Sequence, residues 1–230
     1  MTTTLITGAN RGLGLETARR LVEIGHTVML GARDPRRGAK AAAEIGAVPL
    51  VLDVTREDSV RAAAESLDGL DVLVNNAGVP GAVLPPGHAS PADLLAAYEI
   101  NLFGLVRVLN AFLPLLESSP NPVVVNVSSR LGSIASAAKP DPATDDPHWI
   151  PVPVYSSSKA ALNMLTAQYA RAFPAMRINS VCPGFTATDF NRHRGVQTVA
   201  EGAEIIVRMA TTGPAGPTGG FFSRDGEVAW

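Results

Sequence analysis

The sequence predicts an α/β fold in which helices cover both faces of a parallel sheet. Short apolar runs alternate with segments of helical spacing, and a glycine-rich turn joins the first run to the first helical segment. Most runs are rich in Val, Ile and Leu without strict polar alternation, as in strands that are buried on both faces. The predicted strands are residues 3–7, 27–30, 48–52, 72–75, 123–127, 178–181 and, more weakly, 220–222.

The predicted helices lie between these strands, and several begin with a recognisable cap. Asp34-Pro35 and Ser90-Pro91 each place an N-cap residue before a proline at the first helical position. Residues 198–201, Thr-Val-Ala-Glu, match a capping box. About seven strands that alternate with helices predict a Rossmann-type, doubly wound parallel sheet, with its ligand at the carboxyl ends of the strands. The helical segments are 13–24, 35–45, 57–67, 94–116, 155–173 and 199–210.

The composition fits one domain with a large core. Of the 230 residues, 46% are hydrophobic and 17% are charged, so residues 1–230 are expected to form a single domain. Residues 136–153 interrupt the strand–helix rhythm, because they contain five prolines. A regular helix cannot accommodate these prolines, so the segment is predicted to be a surface insertion.

Charge and cysteine content narrow the partners and cofactors. The net charge of −2 gives no reason to expect a nucleic-acid partner or an anionic membrane surface. Cys182 is the single cysteine, so neither an internal disulfide nor a cysteine metal cage can form, and no metal site is predicted. An apolar strand begins directly after Met1 without a basic leader, which predicts a cytoplasmic protein.

The turn after the first strand has the features of a phosphate-binding loop. It reads Thr7-Gly8-Ala9-Asn10-Arg11-Gly12-Leu13-Gly14 and opens a helix. Glycines permit a tight turn and let the backbone approach a pyrophosphate, while the helix N-terminus offers N–H groups to its oxygens. The spacing differs from the usual dinucleotide fingerprint, and an ordinary turn is the alternative. The position between strand one and helix one favours nucleotide binding.

The end of the second predicted strand indicates which dinucleotide binds. NAD-binding proteins place a carboxylate there for the ribose 2′-hydroxyl, whereas NADP-binding proteins use arginine for the 2′-phosphate. Here the strand ends in Leu30-Gly31-Ala32-Arg33, and Asp34 is better used as a helix cap. Arg33 and Arg11 are both candidates to contact a 2′-phosphate, with solvated surface charges as the alternative. The sequence therefore predicts NADP, or NADPH in its reduced form, as the cofactor.

A tyrosine, a lysine and a serine form the candidate catalytic group. Tyr155 and Lys159 are four residues apart, which puts them on one helix face. A nearby ammonium favours the phenolate, so Lys159 is expected to lower the pKa of Tyr155 from its usual value of about 10. Ser128 and Ser129 follow the fifth strand, where chemistry occurs in this architecture. Ordinary helix-surface and turn roles are the alternatives.

Taken together, these motifs resemble the short-chain dehydrogenase/reductase family over nearly the whole chain. The glycine-rich turn resembles its Thr-Gly-x-x-x-Gly-x-Gly segment, and residues 75–78 resemble its Asn-Asn-Ala-Gly segment, which braces the central sheet. Asp53 matches the family's adenine-contacting aspartate, and Pro183-Gly184, with Thr188, resembles its nicotinamide loop. The resemblance implies cofactor contacts at Gly8, Asn10, Arg11, Gly12, Leu13, Gly14, Arg33, Asp53, Val54, Asn75, Asn76, Ala77, Gly78, Tyr155, Lys159, Pro183, Gly184, Thr186 and Thr188.

The same resemblance implies catalytic roles. Tyr155 and Lys159 match the family's Tyr-x-x-x-Lys pair, and Ser129 matches its catalytic serine. Asn101 matches the helix asparagine that anchors a proton-relay water. In the implied mechanism Tyr155 protonates the substrate oxygen, Ser129 orients that oxygen, and the reduced nicotinamide delivers hydride. Lys159 holds the nicotinamide ribose, and Asn101 links Lys159 to bulk water.

The implied function is that of an NADPH-dependent reductase of a ketone or aldehyde, acting on a small carbonyl substrate. An NADP-dependent alcohol or sugar dehydrogenase is one alternative, and a catalytically silent NADP-binding sensor is another. Ser129, Tyr155 and Lys159 are all present, which argues against the sensor. The spacing of 26 positions from Ser129 to Tyr155 is longer than in most members. Extra chain at this place is similar to that of the carbonyl-reductase-like branch. The extra chain puts the usual tetramer in doubt, so a monomer or homodimer is expected.

Other residues near the predicted site receive plainer interpretations. Cys182 is interpreted as a small core residue at the end of a strand. His193 lies between two arginines and is interpreted as part of a solvated basic turn, with binding of an anionic substrate as the alternative. An apolar substrate pocket is suggested by Phe185, Phe190, Leu84 and Ile150.

Overall fold

The fold is one open sheet that is parallel except at its last strand. The computed structural model describes residues 1–138 and 151–230. Within them the eight strands run in the order β3-β2-β1-β4-β5-β6-β7-β8, and only β8 is antiparallel to its neighbour. The strands are β1 Thr3–Ile6, β2 Thr27–Ala32, β3 Val48–Val51, β4 Val72–Asn75, β5 Val123–Val127, β6 Arg177–Cys182, β7 Phe221–Ser223 and β8 Gly226–Glu227.

The strand order confirms the predicted doubly wound sheet. It reverses between β1 and β4, so a crevice opens at the carboxyl ends of these two strands. All seven predicted strands are present, but β8, with only two residues, was missed. The expectation that strands are buried on both faces is wrong for β3, whose Val48 and Val51 are 43% and 55% exposed. The reason is topological, since β3 is the edge strand.

The helices match the predicted segments with two corrections: the segment 94–116 is divided, and a five-residue helix, Ile134–Ala138, was not predicted. They are α1 Gly12–Glu23, α2 Pro35–Ile45, α3 Glu57–Glu65, α4 Pro91–Tyr98, α5 Gly104–Glu117, α6 Ile134–Ala138, α7 Pro153–Ala172 and α8 Val199–Ala210. The single helix predicted over 94–116 is instead α4, a five-residue π-helical segment Glu99–Phe103, and α5. All three predicted caps form, because Asp34 accepts bonds from two backbone amides and both capping boxes close.

The two faces of the sheet have separate hydrophobic cores, since successive strand side chains point to opposite sides. Ile6 and Val74 pack with α1, α2 and α8 on one face. Leu5, Leu73 and Val124 pack with α3, α5 and α7 on the other. The helices α1 and α7 therefore pack on opposite faces of the sheet.

The continuous helical stretch Pro91–Glu117 is long and apolar enough to cross a membrane by length and composition alone. In the fold one of its faces is buried: Val108, Phe112 and Leu116 are completely inaccessible to solvent. These side chains belong to the core cluster on the sheet, so the stretch serves here as a core helix.

The predicted insertion at 136–153 lies largely outside the described residues, which leave out 139–150. At its beginning the prediction of no regular helix is wrong, because α6 extends to Ala138. This helix ends before Pro140, the first proline of the segment. At the other end α7 begins at Pro153, where a proline at the first helical position is compatible with a helix.

Candidate active site

The glycine-rich turn has the strained backbone that only glycine adopts easily. Gly8 and Gly12 have φ values of 64° and 57°, in the left-handed region. A Cβ on Gly14 would lie 2.5 Å from Nδ2 of Asn76 and 2.9 Å from Cα of Ala9. The first two glycines therefore shape the turn, and the third allows close packing. The amino end of α1 begins at Gly12 and faces the crevice.

The segment after β4 is tied directly to this turn. The Thr7 hydroxyl accepts bonds from the backbone N–H groups of Asn76 and Ala77, each at 3.0 Å. Nδ2 of Asn76 donates to the carbonyls of Thr7 at 2.9 Å and Gly8 at 3.2 Å. These bonds join the ends of β1 and β4, which are the two strands at the crevice.

A buried polar network links β4, β5, β6 and α7 beneath the crevice. Nδ2 of Asn75 donates to Oδ1 of Asn126, and Nδ2 of Asn126 donates to the Thr166 hydroxyl. Each of these two hydrogen bonds is 2.9 Å long. Ser180 donates to the same hydroxyl at 2.9 Å. The resemblance implied that residues 75–78 brace the sheet, but the roles of Asn126 and Thr166 were missed. The position of Asn126 within an apolar strand could have indicated such a contact, because a buried amide needs hydrogen-bond partners.

Lys159 is buried at the carboxyl end of β5. Its side chain is 4% exposed, and Nζ donates to the carbonyl of Val127 at 2.8 Å. Nζ lies 5.7 Å from the centroid of the Tyr155 ring. Burial lowers the pKa of Lys159 to about 8, so the ammonium form still predominates at neutral pH.

Tyr155 and Ser129 meet above Lys159. Burial raises the pKa of the Tyr155 phenol, the neighbouring Cys182 adds to this effect, and a hydrogen bond with Ser129 opposes it. The prediction from the sequence was that Lys159 lowers this pKa, but burial is the dominant influence and raises it. Burial therefore favours the neutral phenol over the phenolate in this structure.

The π-helical segment places Asn101 beside Lys159. Asn101 is 1% exposed, accepts a bond from the N–H of Val79 at 2.8 Å and donates to the Ser158 hydroxyl at 3.0 Å. A Cβ on Gly78 would lie 3.3 Å from Oδ1 of Asn101 and 3.6 Å from Nζ of Lys159. Both groups therefore flank one glycine. The helical pattern of the sequence gave no sign of the π-helical turn, a feature frequent at functional sites.

The loop after β6, residues 183–198, folds back over the glycine-rich turn. Gln197 donates to the Thr186 hydroxyl at 2.8 Å and to the carbonyl of Pro183, which closes the base of the loop. Gly184, with a φ of 82°, permits this contact, because a Cβ there would lie 2.7 Å from Gln197. A methyl group of Thr188 lies 3.7 Å from the Cβ position of Gly12. Thr188 thus lies beside the glycine-rich turn, while Thr186 is buried at the base of the loop.

Other predicted cofactor contacts lie in the glycine-rich turn and at the ends of β2 and β3. Arg33 is exposed at the end of β2. Arg11 is also exposed, and its guanidinium pairs with Asp189 at 3.1 Å. Oδ1 of Asp53 accepts bonds from the N–H and hydroxyl of Thr55, and the side chain of Val54 is buried.

Two neighbours of Tyr155 were underestimated from the sequence. Phe190 meets the Tyr155 ring edge-on, with centroids 5.6 Å apart. Cys182 is buried with Phe221 and Val228, which confirms its interpretation as a small core residue. Its sulfur also accepts a bond from the N–H of Arg130 at 3.2 Å, next to Ser129. Positions within a loop and at a strand end carried no signal for these contacts.

The arrangement combines a proton donor with a nucleotide cradle. A phenol, a serine hydroxyl and a buried ammonium converge at one edge of the sheet, and the amino end of α1 lies at the same edge. Such a group can hydrogen-bond a carbonyl oxygen and protonate it, while N–H groups at the helix end hold phosphates.

Comparison with known proteins defines the class. The family model described as short chain dehydrogenase matches residues 2–198. The chain therefore belongs to the short-chain dehydrogenase/reductase family, whose members bind a nicotinamide cofactor.

Three relatives show how far the likeness extends. A short-chain dehydrogenase, anuI, of Penicillium roqueforti (strain FM164) is 36% identical, covering 91% of this chain and 88% of that protein. The (-)-isopiperitenone reductase of Mentha piperita is 31% identical, covering 98% and 97%. The crystal structure of an NADPH-bound carbonyl reductase from chicken fatty liver has a TM-score of 0.86 at 26% identity, covering 100% of this chain and 99% of that one.

Proposed function

We propose that this chain is an NADPH-dependent reductase that transfers hydride to a ketone or aldehyde carbonyl, and that oxidises the alcohol in the reverse direction. The observation that carries the proposal is the convergence of Tyr155, Ser129, Lys159 and Asn101 beside the glycine-rich turn. A regulatory NADP-binding protein has no need of a buried proton donor next to its cofactor cradle. The names of the relatives, which include reductases and dehydrogenases, support the same reaction class.

The residues of the crevice fit a dinucleotide. Gly8 and Gly12 give the turn its left-handed bends, which let the backbone approach a pyrophosphate, and Gly14 lets α1 pack closely on the segment after β4. The amino end of α1 then offers N–H groups to a pyrophosphate. When bound there, a reduced nicotinamide supplies the hydride.

The chain's own residues manage the proton and the orientation. Tyr155 donates its phenolic proton to the substrate oxygen, and the Ser129 hydroxyl orients that oxygen. Lys159 holds the nicotinamide ribose, and its ammonium stabilises the phenolate that forms when Tyr155 loses its proton. Asn101, fixed by Val79 and Ser158, supports the path by which Lys159 and Tyr155 regain protons.

The end of β2 favours the phosphorylated cofactor. Asp34 is the carboxylate nearest in sequence to the end of β2. It accepts bonds from the N–H groups of Arg36 and Arg37 and so serves as the N-cap of α2. Arg33 makes no ion pair within the part of the chain that the structure describes, which leaves its guanidinium available to a 2′-phosphate. Among the described residues, the tip of β2 thus offers no uncommitted carboxylate to the hydroxyls of an unphosphorylated ribose.

The substrate is proposed to be a small carbonyl compound with an apolar body. Phe190 is 40% exposed and packs on the Tyr155 ring, so it presents an apolar surface beside the reacting oxygen. An apolar wall with a few polar groups is the common composition of small-molecule sites.

A steady-state assay with NADPH or NADH and a panel of ketones and aldehydes tests the proposal. The expected result is oxidation of NADPH that depends on the carbonyl compound and is lost in Tyr155→Phe. Binding of NADPH without turnover of any compound in the panel would instead indicate a sensor. Equal turnover by the Tyr155→Phe variant would contradict the assigned proton donor.

A further inference from the structure

The outer end of the loop after β6 joins the two halves of the site. We call residues 188–194 the loop tip. Oδ2 of Asp189 accepts a bond from Nη1 of Arg11 at 3.1 Å, and its Oδ1 pairs with Nε2 of His193 at 2.9 Å. The adjacent residue, Phe190, packs on Tyr155. From the sequence, Thr188 is expected in the nicotinamide loop, Phe190 in an apolar pocket, and His193 in a solvated basic turn, with binding of an anionic substrate as the alternative.

The loop tip holds the Asp189 carboxylate in a defined place. Thr188 and Asn191 close a capping box around a short 3₁₀ turn, and the N–H of His193 donates to the carbonyl of Thr188 at 2.8 Å. Arg192 and His193 have φ values of 58° and 57°, in the left-handed region that is uncommon for non-glycine residues. Hydrogen bonds from His193 and Arg11 lower the pKa of the Asp189 carboxyl, which keeps it ionised.

Asp189 lies next to the turn that is proposed to hold the phosphates. Arg11 immediately precedes Gly12, the first residue of α1, and Thr188 contacts that glycine position. An anion at this point occupies the guanidinium of Arg11, which would otherwise be free to pair with a bound phosphate.

We propose that Asp189 is a cofactor-specificity residue, which competes with the 2′-phosphate for Arg11 and thereby lowers the preference of this chain for NADPH over NADH. This rests on the proposed function, because it requires Arg11 to contact the 2′-phosphate. NADH lacks that phosphate, so the competition leaves NADH affinity unchanged. The two arginines consequently differ, since Arg33 can pair with the phosphate without breaking an existing ion pair.

The expected effect has the size of an exposed ion pair. The Arg11 and Asp189 side chains are 67% and 56% exposed, so solvent screens their attraction. Removal of the competing charge is therefore expected to tighten NADPH binding by about two- to five-fold.

The experiment measures dissociation constants for NADPH and NADH by the fluorescence enhancement of the reduced cofactor. The proteins are the wild type, Asp189→Asn, Arg11→Met, Arg33→Met and the double variant Asp189→Asn/Arg11→Met. Glu65→Gln is the matched control, because it removes a similarly exposed pair with Arg61 on α3. The expected result is tighter NADPH binding in Asp189→Asn, no change for NADH, no change in the control, and no effect of Asp189→Asn in the Arg11→Met background.

The outcomes separate the inference from the proposed function. An unchanged NADPH-to-NADH ratio in Asp189→Asn overturns the inference, and so does an equal loss of both affinities, which would mean that Asp189 only shapes the loop tip. Asp189→Ser, a second neutral variant, decides the matter if the asparagine variant does not fold. If neither Arg11→Met nor Arg33→Met changes the ratio, the assignment of NADPH fails, whatever Asp189 does.

Discussion

The candidate catalytic group and the arginines proposed for the cofactor lie at one edge of the sheet but are held in opposite ways. Asn101 and Lys159 are 1% and 4% exposed, and each hydrogen-bonds to groups of other elements. Arg11 and Arg33 are exposed, and Arg11 is held only by a surface ion pair. Proton transfer requires atoms placed to within a fraction of an ångström, whereas recognition of a phosphate charge tolerates mobile side chains. Substitutions at the catalytic group should therefore act more strongly than those at the arginines.

The largest effect is expected for Tyr155→Phe. The ring still packs against Phe190, but the proton donor is lost, so turnover should fall by about 10²- to 10⁴-fold. NADPH affinity should stay close to that of the wild type. The measurement is kcat with a reactive ketone, together with the Kd for NADPH.

Tyr169→Phe is the matched control for this prediction. Tyr169 lies on the same helix, but its hydroxyl donates to Asn110 at 2.8 Å on the exposed side. Turnover of this variant should equal that of the wild type. A Tyr155→Phe enzyme that kept most of its turnover would show that another group donates the proton.

The second effect concerns Lys159, which acts on both turnover and cofactor binding. Lys159→Met should lower kcat and weaken NADPH binding together, because one ammonium serves the phenol and the ribose. In the wild type, kcat/KM should decline as the pH rises through about 8, because the ammonium loses its proton there. A variant with normal cofactor affinity would show that the ribose contact is wrongly assigned.

The folding stability should rise with pH, whereas kcat/KM falls. The pKa of Lys159 is lower in the folded protein than in the unfolded chain, so the unfolded chain binds the proton more tightly. The contribution of Lys159 to stability is therefore least favourable below about pH 8 and improves as the pH rises toward the unfolded pKa of about 10.4. Urea unfolding of wild type and Lys159→Met at several pH values measures this difference, and parallel pH curves for the two proteins would rule it out.

The same contrast explains what could be predicted from the sequence. Strands, caps and the glycine-rich turn follow from local patterns, so the seven parallel strands and the caps at Asp34, Ser90 and Thr198 were predicted correctly. The contact between Asn126 and Thr166, the π-helical turn at Asn101 and the ion pair of Arg11 with Asp189 depend on elements far apart in the chain. No local pattern encodes such pairings, because they arise only when the elements pack.

The smallest of these effects is expected at the cofactor arginines, where the charge is exposed. Arg33→Ser should reduce the preference for NADPH by very roughly ten- to a hundred-fold, since a charge-assisted bond contributes about 1.5–3 kcal/mol. Ala32→Asp added to it should reverse the preference, because the new carboxylate repels the phosphate and accepts the ribose hydroxyls.

Ala32 is 2% exposed, however, and its Cβ lies 3.0 Å from the Cβ position of Gly38 in α2, so the aspartate must turn toward the strand end. The double variant should therefore melt at a lower temperature than Arg33→Ser alone while still switching cofactor. Values of kcat/KM for both cofactors, measured at low and high salt, test this, because screening should weaken the arginine effect and leave Tyr155→Phe unchanged. A wild type that prefers NADH would mean that the end of β2 does not select the phosphate.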